Sequence, residues 1–172
     1  MRIRELDPEA AAAEEEIDLV ARRMRATLVH VLGEERGRGL YTLDWLRERV
    51  RFHLDPGRST ARVLLAELQP GQVAGHTILR REEPAGQPPF GLFSTIYVEP
   101  SSRRQGVATA LLRRGEAWFR EQGLGRAATN TAAHNQPLIE QFGRQGYALS
   151  FSADDMVQLS KVLVDLEEPV PE

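Results

Sequence analysis

Tyr97-Val98-Glu99-Pro100-Ser101-Ser102-Arg103-Arg104-Gln105-Gly106-Val107-Ala108-Thr109 is the stretch on which the reading of the chain turns. It passes from aromatic and β-branched residues, through a proline stop, into the opening of an amphipathic helix. Free amides at a helix N-terminus, with the helix dipole behind them, attract anions. Successive amides in a turn form a concave nest for phosphate oxygens. Gly106 lets the backbone approach a ligand with no side chain in the way, and Ala108 keeps the first turn thin. Arg103 and Arg104 add positive charge, and Thr109 offers a hydroxyl. The chemistry implied is pyrophosphate binding over Arg103, Arg104, Gln105, Gly106, Val107, Ala108 and Thr109. Alone, an Arg-Arg pair before a helix also reads as solvated surface. Neither GxxxxGK[ST] nor a GxGxxG after a strand is present.

Outward from that loop, Phe90 to Val98 reads as a strand, and Val107 to Gln122 as a helix. That helix turns Val107, Ala110, Leu111, Trp118 and Phe119 toward a core, and Gly123 and Gly125 end it. Arg126 to Thr131 is a further strand, so the passage is strand, helix, strand, which calls for parallel pairing. Upstream, Arg2 to Leu6 reads as a short strand. Asp7-Pro8 then reads as a helix start, with apolar residues at helical spacing as far as Leu28. Gly33 and Gly37-Arg38-Gly39 break the helical pattern, and Thr42 to Arg51 resumes it. Ala61 to Leu68 and Val73 to Arg80 form a hairpin around Gln69-Pro70-Gly71-Gln72. Downstream, Asn135 to Gln145 is a short helix, followed by strands over Tyr147 to Phe151 and Met156 to Leu163. The expectation is one α/β domain over residues 1–166 with a central mixed sheet, and a frayed tail over 167–172.

Composition narrows the function classes. A length of 172 residues suits one core. Hydrophobic content of 41% with 27% charged residues is that of an ordinary globular chain, and no apolar run approaches a membrane span. The absence of cysteine excludes disulfides, thiolate metal sites and a cysteine nucleophile. No signal segment opens the chain, so a cytoplasmic location is the default expectation. A net charge of −3 argues against nucleic acid as partner. His30, His53, His76 and His134 are scattered without paired ligand spacing, so no metal is expected. There is no GxSxG elbow for a serine hydrolase.

A second motif is Asn135-Gln136-Pro137-Leu138-Ile139-Glu140-Gln141-Phe142-Gly143-Arg144-Gln145-Gly146-Tyr147. Taken by itself it is a capped helix with proline in its first turn. Together the two segments resemble the GNAT superfamily of acyl-CoA-dependent N-acetyltransferases. Arg103-x-x-Gly106-x-Ala108 is similar to that family's coenzyme loop, [R/Q]-x-x-G-x-[G/A]. Asn135, Phe142 and Gly146-Tyr147 match its second motif in spacing, and the hairpin carrying Ala66-Glu67 and Val73-Ala74-Gly75 resembles its second and third strands. The similarity spans roughly residues 2 to 163.

The resemblance implies a mostly antiparallel sheet, splayed at one parallel strand pair, with acetyl-CoA as co-substrate. The pantetheine arm would pair with the backbone of Ile96, Tyr97 and Val98 like an added strand. The pyrophosphate would rest on amides from Arg104 to Thr109, and Asn135 would hold the pantetheine. A backbone amide near Val98 would polarise the thioester carbonyl. The implied reaction is transfer of an acetyl group to a primary amine by direct attack. The acceptor's identity is not legible, and a homodimer is allowed for as the commonest assembly. The match departs from the family where many members carry a tyrosine that protonates the leaving thiolate: here that position is Phe142. Ser94, His134 and Tyr147 are the substitutes considered as catalytic groups, and Glu67, His76 and His134 the candidate bases. A CoA-binding sensor with little or no catalysis is the alternative that this departure motivates.

Overall fold

The computed structural model describes residues 1–164, so the tail expected over 167–172 lies outside the described residues. Seven strands form one sheet: β1 (Arg2–Glu5), β2 (Ala61–Gln69), β3 (Gln72–Glu82), β4 (Phe90–Val98), β5 (Arg126–Ala132), β6 (Ala148–Ala153) and β7 (Met156–Val162). Their order is β1-β2-β3-β4-β5-β7-β6. Every neighbouring pair is antiparallel except β4 and β5, which run parallel. This is the mixed sheet the sequence predicts, with its parallel pair at the expected place. Five helices cover it among the described residues: α1 (Ala13–Leu32), α2 (Glu34–Gly39), α3 (Leu43–Leu54), α4 (Val107–Glu121) and α5 (Gln136–Arg144).

Two apolar layers hold the helices on the sheet. On one face α4 and α5 bring Leu111, Leu112, Phe119 and Phe142 against Leu79 and Phe93. On the other, α1 and α3 set Ile17, Val20 and Val50 against Val63, Leu65 and Ile78. Each such buried side chain contributes about 1.5–3 kcal/mol relative to exposure. The fit of α4 depends on a missing side chain: a Cβ on Gly115 would run into the ring of Phe93 and within 2.9 Å of Leu79. Around the rim, Arg4 of β1 bonds to Glu16 of α1 and Glu67 of β2, tying three elements to one guanidinium.

Three local expectations are corrected. The first helix begins at Ala13, without a side-chain cap, and not at Asp7-Pro8. Asp7 Oδ1 instead accepts a hydrogen bond from Glu9 N at 2.9 Å, so the aspartate closes a turn of its own before the helix starts. Gly33, at φ 89°, does stop α1, but Glu34–Gly39 forms the short helix α2 where only a break was expected. Gly37 makes this possible, because a Cβ there would collide with the backbone of Val29. In α4, Ala110 is half-buried, while Leu112, Gly115 and Glu116 lie in the interior.

Candidate functional site

The site begins where the parallel pair separates. Pairing between β4 and β5 runs from Gly91↔Ala127 to Phe93↔Thr129 and stops there, although both strands continue. Ser94 explains the divergence. Against β3 the register passes from Ile78↔Thr95 to Leu79↔Phe93, leaving Ser94 as the extra residue of a bulge. A bulge bends its strand and increases the local twist. Thr129 Oγ1 donates to Phe93 O at 2.9 Å, and Thr77 Oγ1 to Thr95 O at 2.6 Å, pinning both sides of it.

Beyond the bulge, β4 keeps β3 on one side, and among the described residues no strand pairs with it on the other. Glu99 N donates to Ala74 O at 2.8 Å. Because backbone groups along an antiparallel strand alternate in direction, Tyr97 also faces β3. Ile96 and Val98 therefore present their N–H and C=O to the gap. Arg103 Nε reaches back to Val98 O at 3.3 Å.

That open edge leads into the loop before α4. Pro100–Ser102 forms a single 3-10 turn. Arg104 then adopts φ 64° and Gly106 φ 79°, both left-handed. Gly106 is the N-cap of α4 and no side chain caps the helix. The first bond of the helix is Ala110 N to Gly106 O at 3.0 Å, which leaves the amides of Val107, Ala108 and Thr109 to face the loop. A Cβ on Gly106 would meet no atom within 4 Å, so the space in front of this helix end is open. Arg103, Arg104 and Gln105 are exposed around it, whereas the Val107 side chain is buried and contributes its amide alone. Thr109 Oγ1 accepts from Gln145 Nε2 at 3.2 Å, joining this loop to the end of α5.

On the α1 and α3 side of the gap lies a cleft of about 280 Å³. Ser94, Thr95 and Ile96 form its floor together with Thr129, Asn130 and Thr131. Asn135 and Leu138 close one end, and Arg49, His53 and Arg80 stand among its polar walls. Tyr41 and Trp45 also line it, with rings stacked 4.1 Å apart. Asn135 makes no capping hydrogen bond; its Nδ2 donates to Thr131 Oγ1 at 3.0 Å. His53 Nδ1 lies 2.7 Å from Arg49 O, which makes it the protonated nitrogen and leaves Nε2 an unpartnered acceptor. Burial, with the nearby charges of Arg49 and Arg80, lowers the His53 pKa to about 4.

The structure therefore gathers Ser94, Ile96 and Asn135 on one cleft and Arg103 to Thr109 at the far end of β4. The remaining titratable or hydroxyl-bearing residues lie elsewhere. Tyr147 is buried on the opposite face and donates to Glu116 Oε1 at 2.9 Å, where burial and that carboxylate raise its pKa. Phe142 is fully buried, with ring centroids 5.8 Å from Phe93 and 5.0 Å from Tyr147. Glu67 is paired with Arg4. His76 is enclosed with both ring nitrogens unpartnered, stacked on Tyr97 at 5.9 Å, and burial lowers its pKa to about 3. His134 is exposed and meets Val31 O at 3.0 Å through Nε2.

Sequence reasoning singled out no individual role for Arg49, His53, Arg80, Tyr41 or Trp45. It also missed Arg23, which is buried, donates to Val73 O at 2.6 Å and Glu99 Oε1 at 2.8 Å, and lies over the Tyr97 ring. No local signal marks that contact, because its partners are 76 residues apart. Among the described residues no group of three or more His, Asp or Glu could hold a metal, and no helix is long and apolar enough to cross a membrane.

Known proteins share this fold. The chain matches the model of the Acetyltransferase (GNAT) family over residues 26–147. It is 40% identical over 47 residues to the aminoglycoside N(6')-acetyltransferase type 1 of Acinetobacter haemolyticus. That stretch is 27% of this chain and spans about a third (32%) of the relative. The Salmonella typhimurium protein yncA, solved with its cofactor acetyl-CoA, superposes with a TM-score of 0.68 at 17% identity, over 98% of this chain and 97% of that one. A ribosomal-protein-alanine N-acetyltransferase from Brucella melitensis gives 0.66 at 20% identity, over 95% and 100%. These structural likenesses concern the fold, while the family match concerns the sequence. The chain belongs to the GNAT family of acetyltransferases.

Proposed function

We propose that the protein transfers an acetyl group from acetyl-CoA to a primary amine by direct attack. The observation that carries this reading is the unpaired edge of β4, running from the bulge at Ser94 to an uncapped helix end at Gly106. An extended pantetheine arm fits the edge as an added strand, pairing with Ile96 and Val98. The pyrophosphate fits the amides that follow Arg104, with Arg103 and Arg104 as counter-charges. Asn135, its Nδ2 engaged by Thr131, keeps its carbonyl oxygen for a pantetheine amide. The domain extends over residues 1–166, and the cytoplasm is the compartment this reading calls for.

In the reaction the acceptor ammonium first loses a proton to water, since an amine of pKa about 10 is mostly protonated at neutral pH. Its nitrogen lone pair attacks the thioester carbon, and the carbonyl oxygen takes up negative charge. A backbone amide near Val98 stabilises that oxyanion. Collapse breaks the C–S bond and expels the CoA thiolate, while the nitrogen gives its second proton to water. The products are the N-acetylated amine and CoA. A thiol with a pKa of about 8.5, by analogy with cysteine, leaves adequately as thiolate. Phe142 and Tyr147 take no part, because both face the other side of the sheet; Ser94 is the predicted hydroxyl that lines the cleft.

The test is the binding of CoA to Gly106→Val, followed by calorimetry, beside thiol release from acetyl-CoA with a panel of amines. The substitution is expected to weaken CoA by about 10²-fold, or roughly 2.7 kcal/mol, because a β-branched residue strains the left-handed backbone at φ 79° and its side chain enters the open space before α4. Unchanged affinity sinks the coenzyme assignment. Tight CoA binding with no thiol release on any amine replaces the enzyme with the sensor reading.

A further inference from the structure

We propose that the acceptor is an amine that also carries a carboxylate, held at the Arg49–Arg80 end of the cleft. The inference rests on the acetyltransferase reading and names its substrate class. Its first support is the charge of the walls. Among the described residues lining the cleft there is no Asp or Glu, and there are two arginines, Arg49 and Arg80. An acceptor with several ammonium groups would find no counter-charge there.

The second support is the state of those arginines. Arg80 Nε lies 3.1 Å from Glu82 Oε1, so its charge is balanced. Arg49 pairs with no carboxylate among the described residues, and its guanidinium lies over the Phe52 ring at 4.5 Å. Burial and the neighbouring Arg80 make its charge less favourable than in water. The same two guanidiniums disfavour charge on His53. One uncompensated positive charge matches a monoanion such as a carboxylate better than a phosphate dianion. The planar guanidinium fork suits a carboxylate geometrically.

The third support is the layout. Arg80 sits opposite Leu92 in the β3–β4 register, and the open part of β4 starts at Ser94. Anion and amine ends therefore lie apart along β4, about 20 Å at the backbone from Leu92 to Val98 by strand rise, a gap that the arginine side chains narrow. Tyr41 and Trp45, 37% and 45% exposed, offer stacked rings to the acceptor's apolar body.

Aliphatic and aromatic α-amino acids, and ω-amino acids of increasing chain length, are to be compared with their carboxamides as acceptors in a thiol-release assay. An aminoglycoside completes the panel. Binding of each compound to the CoA complex is measured in parallel by calorimetry. The best acid is expected to exceed its own amide in kcat/KM by at least about tenfold, as for a hydrogen bond to a charged group. Arg49→Gln and Arg80→Gln should each erode that preference, chiefly by raising the acid's KM, with the affinity for CoA as in the unaltered protein. Equal rates for acid and amide, preference for the aminoglycoside, or intact CoA binding without binding of any acid overturns the proposal. Loss of CoA binding in the unaltered protein instead fails the underlying reading.

Discussion

Phe142 occupies a position where a hydroxyl would change the chemistry only if it reached the thioester. It lies between Phe93 and Tyr147 on the α4 side of the sheet, fully buried. Phe142→Tyr is therefore expected to cost about 1–3 kcal/mol, the price of an unpartnered buried hydroxyl, and to leave kcat unchanged. Phe142→Ala should cost about 3–5 kcal/mol through the cavity it opens. Denaturation curves and steady-state rates measure both effects. A rise in kcat for the tyrosine variant, at unchanged stability, shows that the ring reaches the leaving group after all. The sequence shows which residue stands at that position, and the fold shows that it packs in the core. That Tyr147 is equally remote was not legible, because its partner Glu116 comes from another element, 31 residues away.

Among the elements, the coenzyme edge depends on how closely β3, β4 and α4 meet. A Cβ on Gly75 of β3 would lie 2.6 Å from Tyr97 O and 3.1 Å from Val107 Cγ1. Gly75→Ala must therefore push β3 from β4 and tilt the start of α4. A stability loss of about 1–3 kcal/mol is expected from such overpacking, together with weaker CoA binding, although the residue lies behind the proposed coenzyme edge. Chemical denaturation and calorimetry test the pair of effects; undiminished CoA affinity in a destabilised variant would separate the helix end from the strand behind it. The existence of β4, α4 and β5 was legible from alternation, helical spacing and glycine stops. The bulge at Ser94 was not, since a bulge is defined by two strands in register and leaves no mark in either one alone.

For the molecule as a whole, two enclosed imidazoles set the response to acid. The pKa of His53 is lowered from 6.5 to about 4 and that of His76 from 6.5 to about 3, in both cases chiefly by burial. Both are depressed in the folded state, so the unfolded chain binds the extra protons. Their contribution is complete above about pH 6.5 and is lost as pH falls toward the folded values. Each imidazole should cost about 2 kcal/mol between pH 6.5 and 5, at roughly 1.4 kcal/mol per pH unit. Urea midpoints at pH 7 and pH 5 measure the sum, and His76→Phe should remove about half of the slope. Equal midpoints at the two pH values would mean that the imidazoles are not held neutral by the fold.

Hydrophobic periodicity, turn residues and the Arg103-x-x-Gly106-x-Ala108 loop determined by themselves the order of the strands and of every helix but α2, the parallel pair and the family. These signals are local, carried by residues within one turn or one strand of each other, and local physics is what a chain displays in its order. The cleft was decided by tertiary structure alone. Arg49 and His53 come from α3, Arg80 from β3, Ser94 from the bulge and Asn135 from the start of α5. Arg49, His53 and Arg80 are unremarked in their own segments, and Ser94 and Asn135 stand out only through the family resemblance. Their charge and exposure acquire meaning only once the sheet has splayed and the helices have closed over it, because burial and the distance between charges are properties of the packed chain.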